Sequence, residues 1–200
     1  MKGSLVTVGF FVLGLCMGRM EMMPEWLLEG KVTFVALCGL LFCVGMSVGN
    51  NENVVGEFRS INPRLTLLPF VTILGCFAGS ALAWFLLQYR QPTDCLAVGS
   101  GFAYYSLSSI FITQYRGAEL GTVALLANIF REMMTLLLAP LMARAFGPLA
   151  PISAGGATTM DTTLPIITQT CGQQYVMVSL FHGFVVDFSV PFLVTFWCLF

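Results

Sequence analysis

The chain has 200 residues, 57% of them hydrophobic and only 10% charged, with a formal net charge of −1 and a mean hydropathy of +0.85. A soluble domain is about 25% charged, so this composition excludes a soluble globule and predicts an all-α polytopic protein embedded in a lipid bilayer as one membrane domain. The near-neutral charge without a basic cluster gives no sign of a nucleic-acid partner, and seven cysteines without a CxxC pair, beside one histidine, suggest neither a disulfide frame nor a metal site.

In chain order, residues 3–18 read as a short first span rather than a signal peptide, since no small-x-small cleavage site follows. A mixed loop leads to a second span, 32–48, and a polar loop carries Arg59 and Arg64. The third span, 65–87, is long enough to cross with some tilt, and its Gly75, Gly79 and Ser80 offer small faces for helix packing. Residues 1–90 thus form three plain helices. Residues 91–200 form a core of different character.

The fourth segment, 95–113, has the centre Gly99-Ser100-Gly101-Phe102-Ala103-Tyr104-Tyr105-Ser106-Leu107-Ser108-Ser109. Two glycines and four serines weaken a helix there, which predicts a non-helical crossing over 99–109; the bland alternative is a small-residue packing surface. The fifth segment, 120–143, places Asn128 and Glu132 on one face and Arg131 about 100° away. An arginine beside a glutamate reduces the net charge presented, unless the pair only marks a helix end at the headgroups.

The sixth segment, 149–170, contains Ala154-Gly-Gly-Ala-Thr-Thr-Met-Asp-Thr-Thr-Leu-Pro165. Gly155, Gly156 and Pro165 are expected to break the helix, Pro165 by clashing one turn back. Freed backbone is tolerated at membrane depth only inside protein or beside a water-filled cavity. A carboxylate such as Asp161 costs about 2.5–3.5 kcal/mol there and usually serves an ion or substrate path. An extramembrane loop is the alternative. The last span, 175–200, carries His182, Asp187 and Pro191. His182 reads as a hydrogen-bonded packing residue. Asp187 points some 140° from it and receives no role.

These segments sum to seven spans, and alternate loops carry equal numbers of basic residues, so the positive-inside rule does not orient them. Interrupted helices that meet near the midplane are how many secondary transporters bind substrates and coupling ions. Glu132 and Asp161 favour a cationic ligand: a proton, Na⁺ or an ammonium group. No P-loop is present, and neither a Gly-x-Gly-Asp motif nor a glycine-flanked serine supports an intramembrane hydrolase, so a transporter rather than an enzyme is expected.

The stretch 99–109, the Arg131-Glu132 pair, Gly156-Ala-Thr-Thr-Met-Asp-Thr-Thr-Leu-Pro165, and His182-Gly183-Phe184 with Pro191 together resemble the bacterial lysine exporter family (LysO). The resemblance is loose up to Leu87 and tight after it. It implies export of L-lysine and its toxic analogues across the bacterial inner membrane, without a cofactor but with H⁺ or Na⁺ coupling open. It implies crossed broken helices in an inverted repeat, as in the cation/proton antiporter and bile-acid symporter group. The family's intramembrane acidic pair falls on Glu132 and Asp161. The supporting residues within these motifs and their neighbourhood are Asn128, Arg131, Ser100, Gly101, Tyr105, Ser106, Gly156, Thr158, Thr159, Thr162, Pro165 and His182. A coupled carrier of another small solute is the alternative. Asp187 has no counterpart in the family pattern, and the family's full-length proteins begin with extra helices. The expectation is therefore the C-terminal part of a split transporter, with a companion membrane subunit of about three helices.

Overall fold

Residue length and apolar run decide which helices can cross a bilayer. In this computed structural model the described residues are 64–87 and 90–200, with isolated helical positions between residues 9 and 46. The first two expected spans fall largely outside the described residues. Among the described residues, three helices have the length and hydropathy to span the hydrocarbon core. They are α1 (Leu68–Leu87, entered by a 3-10 turn at Leu65–Leu67), α4 (Ala118–Phe146) and α7 (Val176–Leu199, entered by a 3-10 turn at Gln173–Tyr175).

The other four described helices are short. They are α2 (Pro92–Gly99), α3 (Tyr105–Arg116), α5 (Leu149–Gly155) and α6 (Leu164–Cys171). At 1.5 Å per residue they measure about 10–18 Å, roughly half the depth of a bilayer core. Their outer ends lie together. Arg116, closing α3, reaches Gln91 Oε1 at 3.4 Å and Asp94 Oδ1 at 3.5 Å, at the start of α2. Cys171, closing α6, donates its thiol to the Pro148 carbonyl at 3.2 Å, just before α5. The pairs α2–α3 and α5–α6 are therefore re-entrant hairpins: each enters the bundle and returns to the end it came from. The seven-span expectation takes both as crossings; among the described residues they are two hairpins, set beside three helices long enough to span.

The hairpins enter from opposite ends. Arg116 also donates to the carbonyls of Trp197 (3.4 Å) and Cys198 (3.1 Å), and Arg90 pairs with Glu119, so hairpin one opens where α4 begins and α7 ends. Hairpin two opens where α4 ends and α7 begins. The tips meet inside, where the Ala157 N–H donates to the Phe102 carbonyl at 2.9 Å.

Burial follows the same division. One apolar cluster (Ala97, Phe102, Ile112, Leu120, Ala124, Val186, Val190, Val194) fills the end of hairpin one, and a second (Leu68, Ala139, Ile152, Ile166, Ile167, Val178) fills the end of hairpin two. Many of the buried polar residues sit where the tips meet and beside them: Asn128, Thr135, Thr158, Thr159, Thr163, Ser179 and His182. Ser80 of the third span lies under Gly99 of α2, where an added Cβ would stand 1.9 Å from the hydroxyl, and at Gly75 and Gly79 an added Cβ would have no described atom within 4 Å beyond its own helix.

Candidate functional site

The break in hairpin one covers only residues 100–104. The expected non-helical stretch ran to Ser109, but α3 resumes at Tyr105 because Ser108 turns its hydroxyl onto the Tyr104 carbonyl (2.8 Å) and its N–H onto the same oxygen (3.2 Å). The turn holds two non-glycine residues in the left-handed region, Phe102 (φ 44°) and Ala103 (φ 72°). Such residues cost about 1–3 kcal/mol each and persist only where their surroundings fix them. Asn128 of α4 does so: its Oδ1 accepts from the Ala103 N–H (2.8 Å), and its Nδ2 donates to the carbonyls of Val98 (3.3 Å) and Ala124 (2.9 Å). Gly101 lets that amide approach, since a Cβ there would lie 2.3 Å from Nδ2. Ser100 is fully buried and bonds back to the Leu96 carbonyl (2.7 Å).

The break in hairpin two is a 3-10 turn, Gly156–Met160, followed by residues 161–163. Gly156 has φ 62°, and a Cβ there would stand 2.3 Å from the Phe102 carbonyl oxygen, so only glycine permits the tips to touch. The expected break at Pro165 does not occur. The proline sits in the first turn of α6, where the missing N–H has no intrahelical partner to lose. Thr158 and Thr159 donate to the carbonyls of Gly155 (2.9 Å) and Gly156 (2.8 Å), satisfying groups the break sets free.

Arg131 makes no ion pair with Glu132 among the described residues. Its guanidinium donates to the carbonyls of Ala154 (2.8 Å) and Ser153 (3.0 Å) at the C-terminal end of α5, contacts Cys76 Sγ (3.0 Å), and lies 5.8 Å above the Phe102 ring. A cation is favourable at a helix C-terminus, and the arginine fork satisfies two carbonyls at once. His182 is fully buried between two hydroxyls, Thr72 Oγ1 at 2.9 Å from Nε2 and Thr159 Oγ1 at 3.2 Å from Nδ1. It fastens α1, α7 and hairpin two together.

These braces surround a cavity of about 320 Å³ between the two tips. Tyr104, Tyr105 and Ser106 line it from hairpin one, Thr158, Asp161 and Thr162 from hairpin two, Glu132 from α4 and Asp187 from α7. Thr162 links the two expected acids: its Oγ1 lies 2.5 Å from Glu132 Oε1 and 3.3 Å from Asp161 Oδ1, and its N–H donates to that Asp161 oxygen at 2.5 Å. Two carboxylates held around one hydroxyl repel each other, and a cation between them relieves the repulsion. No basic side chain is among the described residues lining the cavity. Of the residues singled out from sequence, Glu132, Asp161, Tyr105, Ser106, Thr158 and Thr162 face the cavity, while Asn128, Arg131, Ser100, Gly101, Gly156, Thr159, Pro165 and His182 shape its walls from behind. Tyr104 and Asp187 join the lining beyond the residues expected from sequence. The signal for Asp187 was available: the 140° that turns it from His182 places it one turn after Gly183, whose face presses on Met160, where a Cβ would lie 2.6 Å from the Met160 nitrogen.

The chain matches the family described as Lysine exporter LysO over residues 8–198. It is 33% identical over 157 residues to Lysine exporter LysO of Escherichia coli (strain K12), covering 78% of this chain and 52% of that protein. It is 30% identical over 198 residues to a Haemophilus influenzae (strain ATCC 51907 / DSM 11121 / KW20 / Rd) protein named provisionally as a lysine exporter, covering 98% of this chain and 96% of that one. The chain thus spans about half the length of the first relative and nearly all of the second. No solved structure matches it. The matched residues run through both hairpins and all three long helices, and the chain belongs to the lysine exporter LysO family.

Proposed function

We propose that this protein is a secondary transporter that exports L-lysine and lysine analogues across the bacterial inner membrane, coupled to H⁺ or Na⁺. The observation that carries the reading is the convergence of Glu132 and Asp161 on Thr162 in a cavity between two opposed hairpin tips. Carboxylates at that depth suit an ammonium group or a coupling cation. The volume, about 320 Å³, is at the small end of ligand pockets and suits one amino acid. The N-terminus of α3 opens on the same space without a side-chain cap, so the first N–H groups of α3 are available to a substrate carboxylate. The names of both relatives point to the same solute.

In this reading Glu132 and Asp161 bind the cationic group, and the hairpins exchange access between the two membrane faces. Asp161→Asn, which keeps shape and removes charge, should abolish resistance to thialysine in cells lacking other lysine export, with protein level unchanged. Full resistance in a well-expressed Asp161→Asn strain would contradict it. A companion membrane subunit of about three helices belongs to the same proposal, because a transport core needs a scaffold to move against. Export by the purified single chain as a monomer in liposomes would remove the need for it.

A further inference from the structure

We infer that Asp187 is the specificity-determining carboxylate of the cavity, holding the second ammonium group of a diammonium amino acid. This rests on the lysine reading above and goes beyond it, since neither the acid pair nor the family motifs include Asp187. The cavity receives carboxylates from three separate elements: Glu132 from α4, Asp161 from hairpin two and Asp187 from α7. The first two share the Thr162 hydroxyl and behave as one anionic unit. Asp187 stands outside that arrangement. It is half-buried in the middle of an apolar helix, and among the described residues no hydrogen-bond donor is paired with it.

With no basic side chain among the described lining residues, a cationic group of the ligand is the partner that this third acid suits. A monoammonium amino acid brings one cation, which the Glu132–Asp161 unit takes. An amino acid with a second, distal ammonium brings the charge that Asp187 lacks. Its carboxylate fits the uncapped N-terminus of α3. The site then has one partner for each charged group of such a ligand, and the pairing with Asp187 separates it from ligands of equal length that end in a methyl group.

The test is calorimetric titration of the purified full chain with L-lysine and, by competition, with L-norleucine, which has the same carbon skeleton without the distal ammonium. The wild type should prefer lysine at least tenfold. Asp187→Asn should weaken lysine at least tenfold and leave norleucine unchanged, so that the preference falls to about one. Asp187→Ser should do the same, which keeps the test available if one variant folds poorly. A variant that retains the wild-type preference overturns the inference. So does equal weakening of both ligands, which marks a structural role. Wild-type protein that binds neither ligand overturns the lysine reading itself.

Discussion

The two hairpins face the same physical problem and solve it differently. Each exposes free backbone groups deep inside a bundle that lipid surrounds, where an unpaired N–H or C=O is costly. Hairpin one has an apolar, strained tip whose Phe102 and Ala103 are fixed from outside by the amide of Asn128. Hairpin two has a hydroxyl-rich tip that satisfies itself through Thr158 and Thr159 and takes help from Arg131 only at the end of α5. The consequence is a division of labour. Hairpin one is a clamped wall, and hairpin two, whose Asp161 is bonded among the described residues by its own turn, presents the acid to the cavity.

Substitutions can break this contrast, the largest effect coming at the contact between the tips. Gly156→Ala adds a Cβ 2.3 Å from the Phe102 carbonyl oxygen at a position with φ 62°. Strain and overpacking each cost about 1–3 kcal/mol, so this variant should show the lowest melting midpoint in detergent and the lowest yield. Arg131→Leu comes next. It leaves the carbonyls of Ser153 and Ala154 without their donor, at about 1–3 kcal/mol for each unsatisfied group, and should loosen hairpin two selectively, read as faster hydrogen exchange over 149–160 than over 92–104. Asn128→Ala should reverse that pattern, at about 1–3 kcal/mol, because it frees the Ala103 N–H. Gly75→Ala sits at the bottom of the series. With no described atom within 4 Å of the new methyl, its midpoint should match the parent, within about 0.5 kcal/mol.

Much of this was legible in the sequence. The long helices were expected at 120–143 and 175–200 and run Ala118–Phe146 and Val176–Leu199. Both interruptions were readable from glycine, serine and threonine in apolar surroundings. Glu132 and Asp161 stood out because intramembrane carboxylates are expensive. The doubling back of the hairpins was not legible, since an apolar stretch of 22 residues, 149–170, is as suitable for crossing as for entering and returning. What decides it is long-range: the contacts of Arg116 with Asp94 and of Cys171 with Pro148. The use of Arg131 was hidden for a similar reason. Its sequence neighbour is Glu132, but its partners are carbonyls more than twenty residues away.

The central claim is that the acids lie between two hairpins inserted from opposite ends. Single cysteines at the exposed positions Gln91 and Ala118, which flank hairpin one, and at Phe146 and Gln173, which flank hairpin two, test it directly with a membrane-impermeant thiol reagent against the parent background. The structure predicts that Gln91→Cys and Ala118→Cys are modified from one face of the membrane, and Phe146→Cys and Gln173→Cys from the other. Modification of Gln91→Cys and Ala118→Cys from opposite faces would mean that the chain crosses between them, and would contradict the account.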